Sequence, residues 1–135
     1  MKRITAEWIR HGELDWVAAG DLALAMHPTY EAICFHCQQC AEKYLKALME
    51  ELSISIPRTH NLKDVLASLS SHHKSLRKLR RGLAFLTRFA VLTRYPGGRA
   101  TKREATTALR WAERIRLECR KLLGLKPPRS RRKSK

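Results

Sequence analysis

Three cysteines recur at every third residue in Cys34-Phe35-His36-Cys37-Gln38-Gln39-Cys40, and a fourth stands at Cys119. Thiols at such spacing could hold zinc or an iron–sulfur cluster, so metal binding is the first chemistry to weigh. Ligand sets of that kind usually come from loops where glycine and proline let thiolates converge, and residues 34 to 47 contain neither. On a helix the three positions fan over about 120° of one side. There Cys37 and Cys40 share a stripe with Ile33, Tyr44 and Leu48. Cysteine packs well as a small buried hydrophobe, and the expectation is four core thiols with no metal and no cofactor.

A second chemistry lies in His60, within Pro57-Arg58-Thr59-His60-Asn61-Leu62, and in Arg94-Tyr95, which run into the turn Pro96-Gly97-Gly98. Cleaving RNA through its 2′-hydroxyl needs a base for that proton, a donor for the leaving 5′-oxygen and a cation at the phosphate. His60 and Arg94 are the candidate catalytic pair. Each also has a plainer reading: His60 as a loop histidine capping the next helix, Arg94 as a cation answering a helix C-terminus. Arg94 and Tyr95 together offer a guanidinium for phosphate and a ring for base stacking. The candidate ligand-binding set is Arg94, Tyr95, Arg99, Lys43, Lys46 and His60, with Lys102 able to extend it.

Charge supports an anionic partner. The chain carries 28 Lys/Arg against 12 Asp/Glu, for a net charge of +16. Residues 1–73 hold 7 cations and 9 carboxylates, net −2; residues 74–135 hold 21 and 3, net +18. No carboxylate occurs between Asp64 and Glu104, so that stretch projects an unneutralised positive field. A solvated face that only keeps the protein soluble is the bland alternative.

The elements that must position these residues read as helices throughout, since no segment alternates with period two. Ile4, Trp8, Asp15, Ala19, Leu22 and Met26 mark an amphipathic helix that His27-Pro28 closes. Thr29 starts a second helix reaching Leu52, with Gln39, Lys43, Lys46 and Glu50 as its solvent-facing line. Asn61 caps a short helix to Leu69, and Lys74 to Leu92 reads as a long one. Thr101 and Glu104 form a capping box for a last helix ending at Gly124. The fold class expected is all-α: an up-and-down bundle of four long helices plus one short helix over residues 1–125. Residues 126–135, KPPRSRRKSK, lack any apolar side chain and read as a basic disordered tail. No stretch is apolar enough for a bilayer span, and Glu7 and Glu13 spoil a secretory signal, so a cytoplasmic location is expected.

Gln38-Gln39-Cys40-Ala41-Glu42-Lys43-Tyr44-Leu45-Lys46-Ala47, then Thr59-His60-Asn61-Leu62, then Arg94-Tyr95-Pro96 and an alanine-rich closing helix resemble the HEPN domain family over about residues 5 to 123. That resemblance implies a helical bundle, commonly a homodimer, that binds nucleotide or RNA. It also implies a nucleotidyltransferase partner in a toxin–antitoxin pair. Many family members are metal-independent ribonucleases that use an arginine, four to six residues, then a histidine. None of the six histidines here has an arginine at that spacing. Two alternatives stand beside phosphate binding: a metal-independent ribonuclease toxin, and a non-catalytic subunit whose basic half docks on an acidic partner.

Overall fold

The structure, a computed structural model, describes residues 1–92 and 95–128. Arg94 and most of the expected tail lie outside the described residues. Among the described residues the order is five α-helices and one 3-10 helix: α1 Arg3–Ala23, α2 Tyr30–Glu51, α3 Leu62–Leu69, the 3-10 helix Lys74–Leu79, α4 Arg80–Thr87 and α5 Lys102–Leu122. Among the described residues there is no strand, and the all-α reading stands. No described helix is long and apolar enough to cross a membrane.

The count of long helices is corrected. α1, α2 and α5 have 21, 22 and 21 residues, whereas α3 and α4 have eight each. The helix expected over 74–92 divides into the 3-10 turns of Lys74–Leu79 and the short α4. Leu76, Leu79, Leu83, Leu86 and Phe89 are 0–1 % exposed and step by 3, 4, 3 and 3. The first three steps fit one face of an α-helix as well, whereas two successive three-residue steps, from Leu83 to Phe89, suit 3-10 turns. Past α4, Phe89 and Ala90 accordingly donate to the carbonyls three residues back, at 2.9 and 3.2 Å.

Local signals elsewhere act as the sequence indicates. Asn61 Oδ1 accepts the Lys63 N–H at 3.0 Å, and the Thr101–Glu104 capping box forms in both directions. Gly124, at φ 76°, ends α5 with Leu125 N–H bonded to the Arg120 carbonyl at 2.9 Å. Thr29 occupies the α2 N-cap position without a side-chain cap bond. α1 stops at Ala23, short of His27-Pro28, and Met26 is 88 % exposed.

α2 is the central element, packed against α1, α3, α4 and α5. It therefore buries more than the expected stripe: Gln38, Glu42 and Lys46 are buried along with Cys37, Tyr44 and Leu48. All four cysteines are free and fully buried. Burial pushes the Cys34 thiol up to about 12, and the other three are raised further, which keeps them neutral and inert. The fully buried positions of α1 are the small or polar Thr5, Gly12, Asp15 and Ala19, with Ile9, Trp16 and Leu22 packing part-buried against the core, and Ile4 of the expected stripe is exposed. A Cβ on Gly12 would come within 3.1 Å of the Tyr44 ring, so its bare backbone lets the two helices approach.

Candidate functional site

The expected solvent-facing line of α2 is corrected by its ion pairs. Lys46 is buried and donates to Glu42 at 2.8 Å, and Lys43 donates to Asp15 at 2.5 Å. Both cations are paired with a carboxylate of the fold. The physical reason is that α1 and the 57–62 loop lie over this side of α2 and bring acids and donors to it.

Three carboxylates organise that layer. Glu42 accepts from Gln38 at 2.8 Å, from Lys46 at 2.8 Å and from His60 Nδ1 at 2.9 Å. Burial pushes its carboxyl up, but these three donors outweigh burial and hold it below the ordinary carboxylate range. Asp15 accepts from His36 Nδ1 at 2.8 Å as well as from Lys43. Glu13 takes a two-pronged contact from Arg116, at 2.6 and 2.8 Å, and the Tyr44 hydroxyl. Arg120 donates to that hydroxyl at 3.1 Å. Burial acts to raise Glu13 as well, and the Arg116 and Tyr44 bonds reverse it.

His60 sits at the edge of this layer with its side chain about half exposed, at 49 %. Its ring does not cap α3, because Asn61 does so. A carboxylate can only accept, so the Nδ1 facing Glu42 carries the hydrogen and leaves Nε2 as the ring's proton acceptor. The loop around it is stiff: Thr59 Oγ1 accepts the Asn61 N–H at 3.0 Å, and Leu62 N–H donates to Thr87 Oγ1 at 3.0 Å. The arrangement is that of a general base oriented by an acid.

The second candidate group lies on the turn ahead of α5. Tyr95 is 66 % exposed and Arg99 is exposed. Gly98 N–H bonds the Tyr95 carbonyl at 2.9 Å, and a Cβ on Gly98 would come within 1.9 Å of the Leu92 carbonyl oxygen, so only glycine fits. Gly97 has φ 87°, the left-handed conformation that glycine takes without strain. The Ala100 N–H donates to Glu31 at 2.8 Å, tying the turn to the start of α2 and holding the Glu31 carboxyl below its usual range.

The candidate residues thus fall into two groups. The His60 loop is anchored on α2 at Gln38 and Glu42, and the Tyr95–Arg99 turn at Glu31. Those anchors are separated by seven and eleven residues, or roughly 10 to 16 Å along the helix. Arg94 lies outside the described residues. The acids Glu42, Asp15 and Glu13 are what the sequence reading missed as site residues. One signal was present: Asp15 recurs on the same helical stripe as Ala19 and Leu22, where a carboxylate must find partners to be buried.

Helices, a buried polar layer with a half-exposed histidine, and a turn carrying Tyr95 and Arg99 define, among the described residues, a small helical domain with polar chemistry at the start and at the middle of α2. The chain belongs to the HEPN domain family, whose model matches residues 5–122. Neither the curated proteins nor the solved structures yield a match to it.

Proposed function

We propose that this HEPN domain binds the phosphate of a nucleotide or RNA at the Tyr95–Arg99 turn, with Arg94 completing the set. In this reading it acts as a cytoplasmic homodimer paired with a nucleotidyltransferase in a toxin–antitoxin system. The observation that carries the reading is the turn: an exposed ring and an exposed guanidinium on a backbone that glycine geometry and the Glu31–Ala100 bond hold in place. A preorganised aromatic and cationic pair suits a base stacked beside its phosphate. Lys43 and Lys46 leave the ligand set and serve as counter-ions to Asp15 and Glu42. The basic residues from Lys126 onward add salt-sensitive, sequence-independent attraction.

Calorimetric titration of ATP into the full chain tests this at physiological ionic strength, with Arg94→Ala and Tyr95→Ala/Arg99→Ala alongside. Saturable binding that both variants abolish supports the turn. An absence of saturable binding removes the reading in favour of a protein-interaction subunit.

The Glu42–His60 pair favours a second reading, metal-independent RNA cleavage with His60 Nε2 as the base. It predicts cleavage that survives a chelator and disappears in His60→Ala.

A further inference from the structure

α3 presents Lys63, Leu66, Ala67 and Ser70 on one face, at i, i+3, i+4 and i+7. Opposite them stand Arg77 and Arg80, and the six residues enclose a cleft of about 430 Å³. Arg80 follows the 3-10 helix directly, and its N–H bonds the Arg77 carbonyl, so a 3-10 turn joins the two arginines. Residues three apart nearly eclipse across such a turn, whereas on an α-helix they diverge by about 60°. Lys63, Arg77 and Arg80 are all exposed, and none of their side chains has a hydrogen bond or ion pair among the described residues. Asp64, the one carboxylate of α3, is not among the residues that line the cleft. Three converging cations without an acid contrast with the groove lined by Lys78, Arg114 and Lys121, where Glu118 pairs with Lys78 at 3.4 Å.

We infer that this cleft is a second anion site, one that holds the phosphodiester backbone of single-stranded RNA. The inference rests on the nucleotide-or-RNA reading and extends it from a mononucleotide at the turn to a polymer across the domain. Two guanidiniums one turn apart on the same wall can each pair with phosphate oxygens through forked N–H bonds, and Lys63 supplies a point charge from the facing helix. Leu66 and Ala67 give an apolar floor for the sugar, and the Ser70 hydroxyl can bond a 2′-hydroxyl or phosphate oxygen. The volume suits one nucleotide unit. No aromatic ring lines the cleft, so it grips the backbone without reading bases. Arg81, next to Arg80, and Lys74, three residues before Arg77, are both exposed and extend the positive surface for the neighbouring phosphates.

The test is fluorescence anisotropy of a labelled single-stranded RNA with the full chain, across a salt series. The variants are Lys63→Ala/Arg77→Ala/Arg80→Ala and a charge-matched control, Arg103→Ala/Arg110→Ala/Lys121→Ala. The cleft variant is expected to weaken RNA binding by about tenfold or more and to lower the log–log salt slope by about 2, as loss of three contacts to a single strand requires. The control should change affinity by less than about threefold, with melting temperatures of both variants near the parent's. Equal losses in the two variants, or no loss in either, overturn the cleft. Displacement of RNA by polyglutamate at equal charge overturns the phosphate assignment. Loss of ATP binding in the cleft variant overturns the polymer assignment in favour of free nucleotide. RNA binding that survives Tyr95→Ala/Arg99→Ala but not the cleft variant leaves the cleft standing and removes the turn.

Discussion

On the α1 side of α2, Glu13, Asp15 and Glu42 each hold at least two donors, and the basic residues there are consumed by the fold. Along α3, the 3-10 helix and α4, the cations Lys63, Arg77 and Arg80 pair with no carboxylate among the described residues, and the fold beneath them is held by Leu76, Leu79, Leu83 and Leu86. The same residue types are structural in one region and available in the other. What separates them is the local supply of acid: a buried cation must be neutralised, while an exposed one without a partner costs little and keeps its field for a ligand.

The largest expected effect breaks the first region. Glu42→Ala leaves Lys46 buried without its counter-ion, and chemical denaturation should show a loss of about 3 to 5 kcal/mol, the cost typical of a broken buried pair. A loss under about 1 kcal/mol would mean that this polar layer is not holding the fold. Next comes packing in the second region, where a Cβ on Gly82 would lie 2.1 Å from the Trp111 indole. Gly82→Ala should cost about 2 to 3 kcal/mol in the same assay, because overpacking against a ring outweighs alanine's gain in helix propensity of about 1 kcal/mol. A stabilised variant would contradict the α4–α5 contact. The smallest effect sharpens the contrast: Arg77→Ala/Arg80→Ala should move stability by no more than about 0.5 kcal/mol, since neither side chain has a partner to lose. A large loss would show that these arginines belong to the fold after all.

Much of the fold was legible. Asn61, the Thr101–Glu104 box and Gly124 mark helix ends through bonds made within four residues of themselves, and such bonds do not depend on the rest of the chain. The four thiols were legible as core residues because cysteine on an apolar stripe packs. The long helix over 74–92 was not, since its apolar steps of three and four fit an unbroken α-helix equally well. Nor was the role of Lys43 and Lys46: the amphipathic pattern of α2 was read as one buried stripe, but a central helix is covered on several sides.

The sequence by itself determined an all-helical chain, its helix caps, its core cysteines and the imbalance of −2 against +18 between its two parts. Only the tertiary structure decided which cations are spent. Glu13 and Arg116 are 103 residues apart and Glu42 and His60 are 18 apart, so these pairs exist only once α1, α5 and the 57–62 loop have all docked around α2. Helix periodicity and caps act over one turn of chain. A salt bridge requires two groups within about 4 Å, and attraction between exposed charges fades over a Debye length of about 8 Å at physiological salt. Packing therefore, and not composition, assigns each lysine and arginine to the fold or to a ligand.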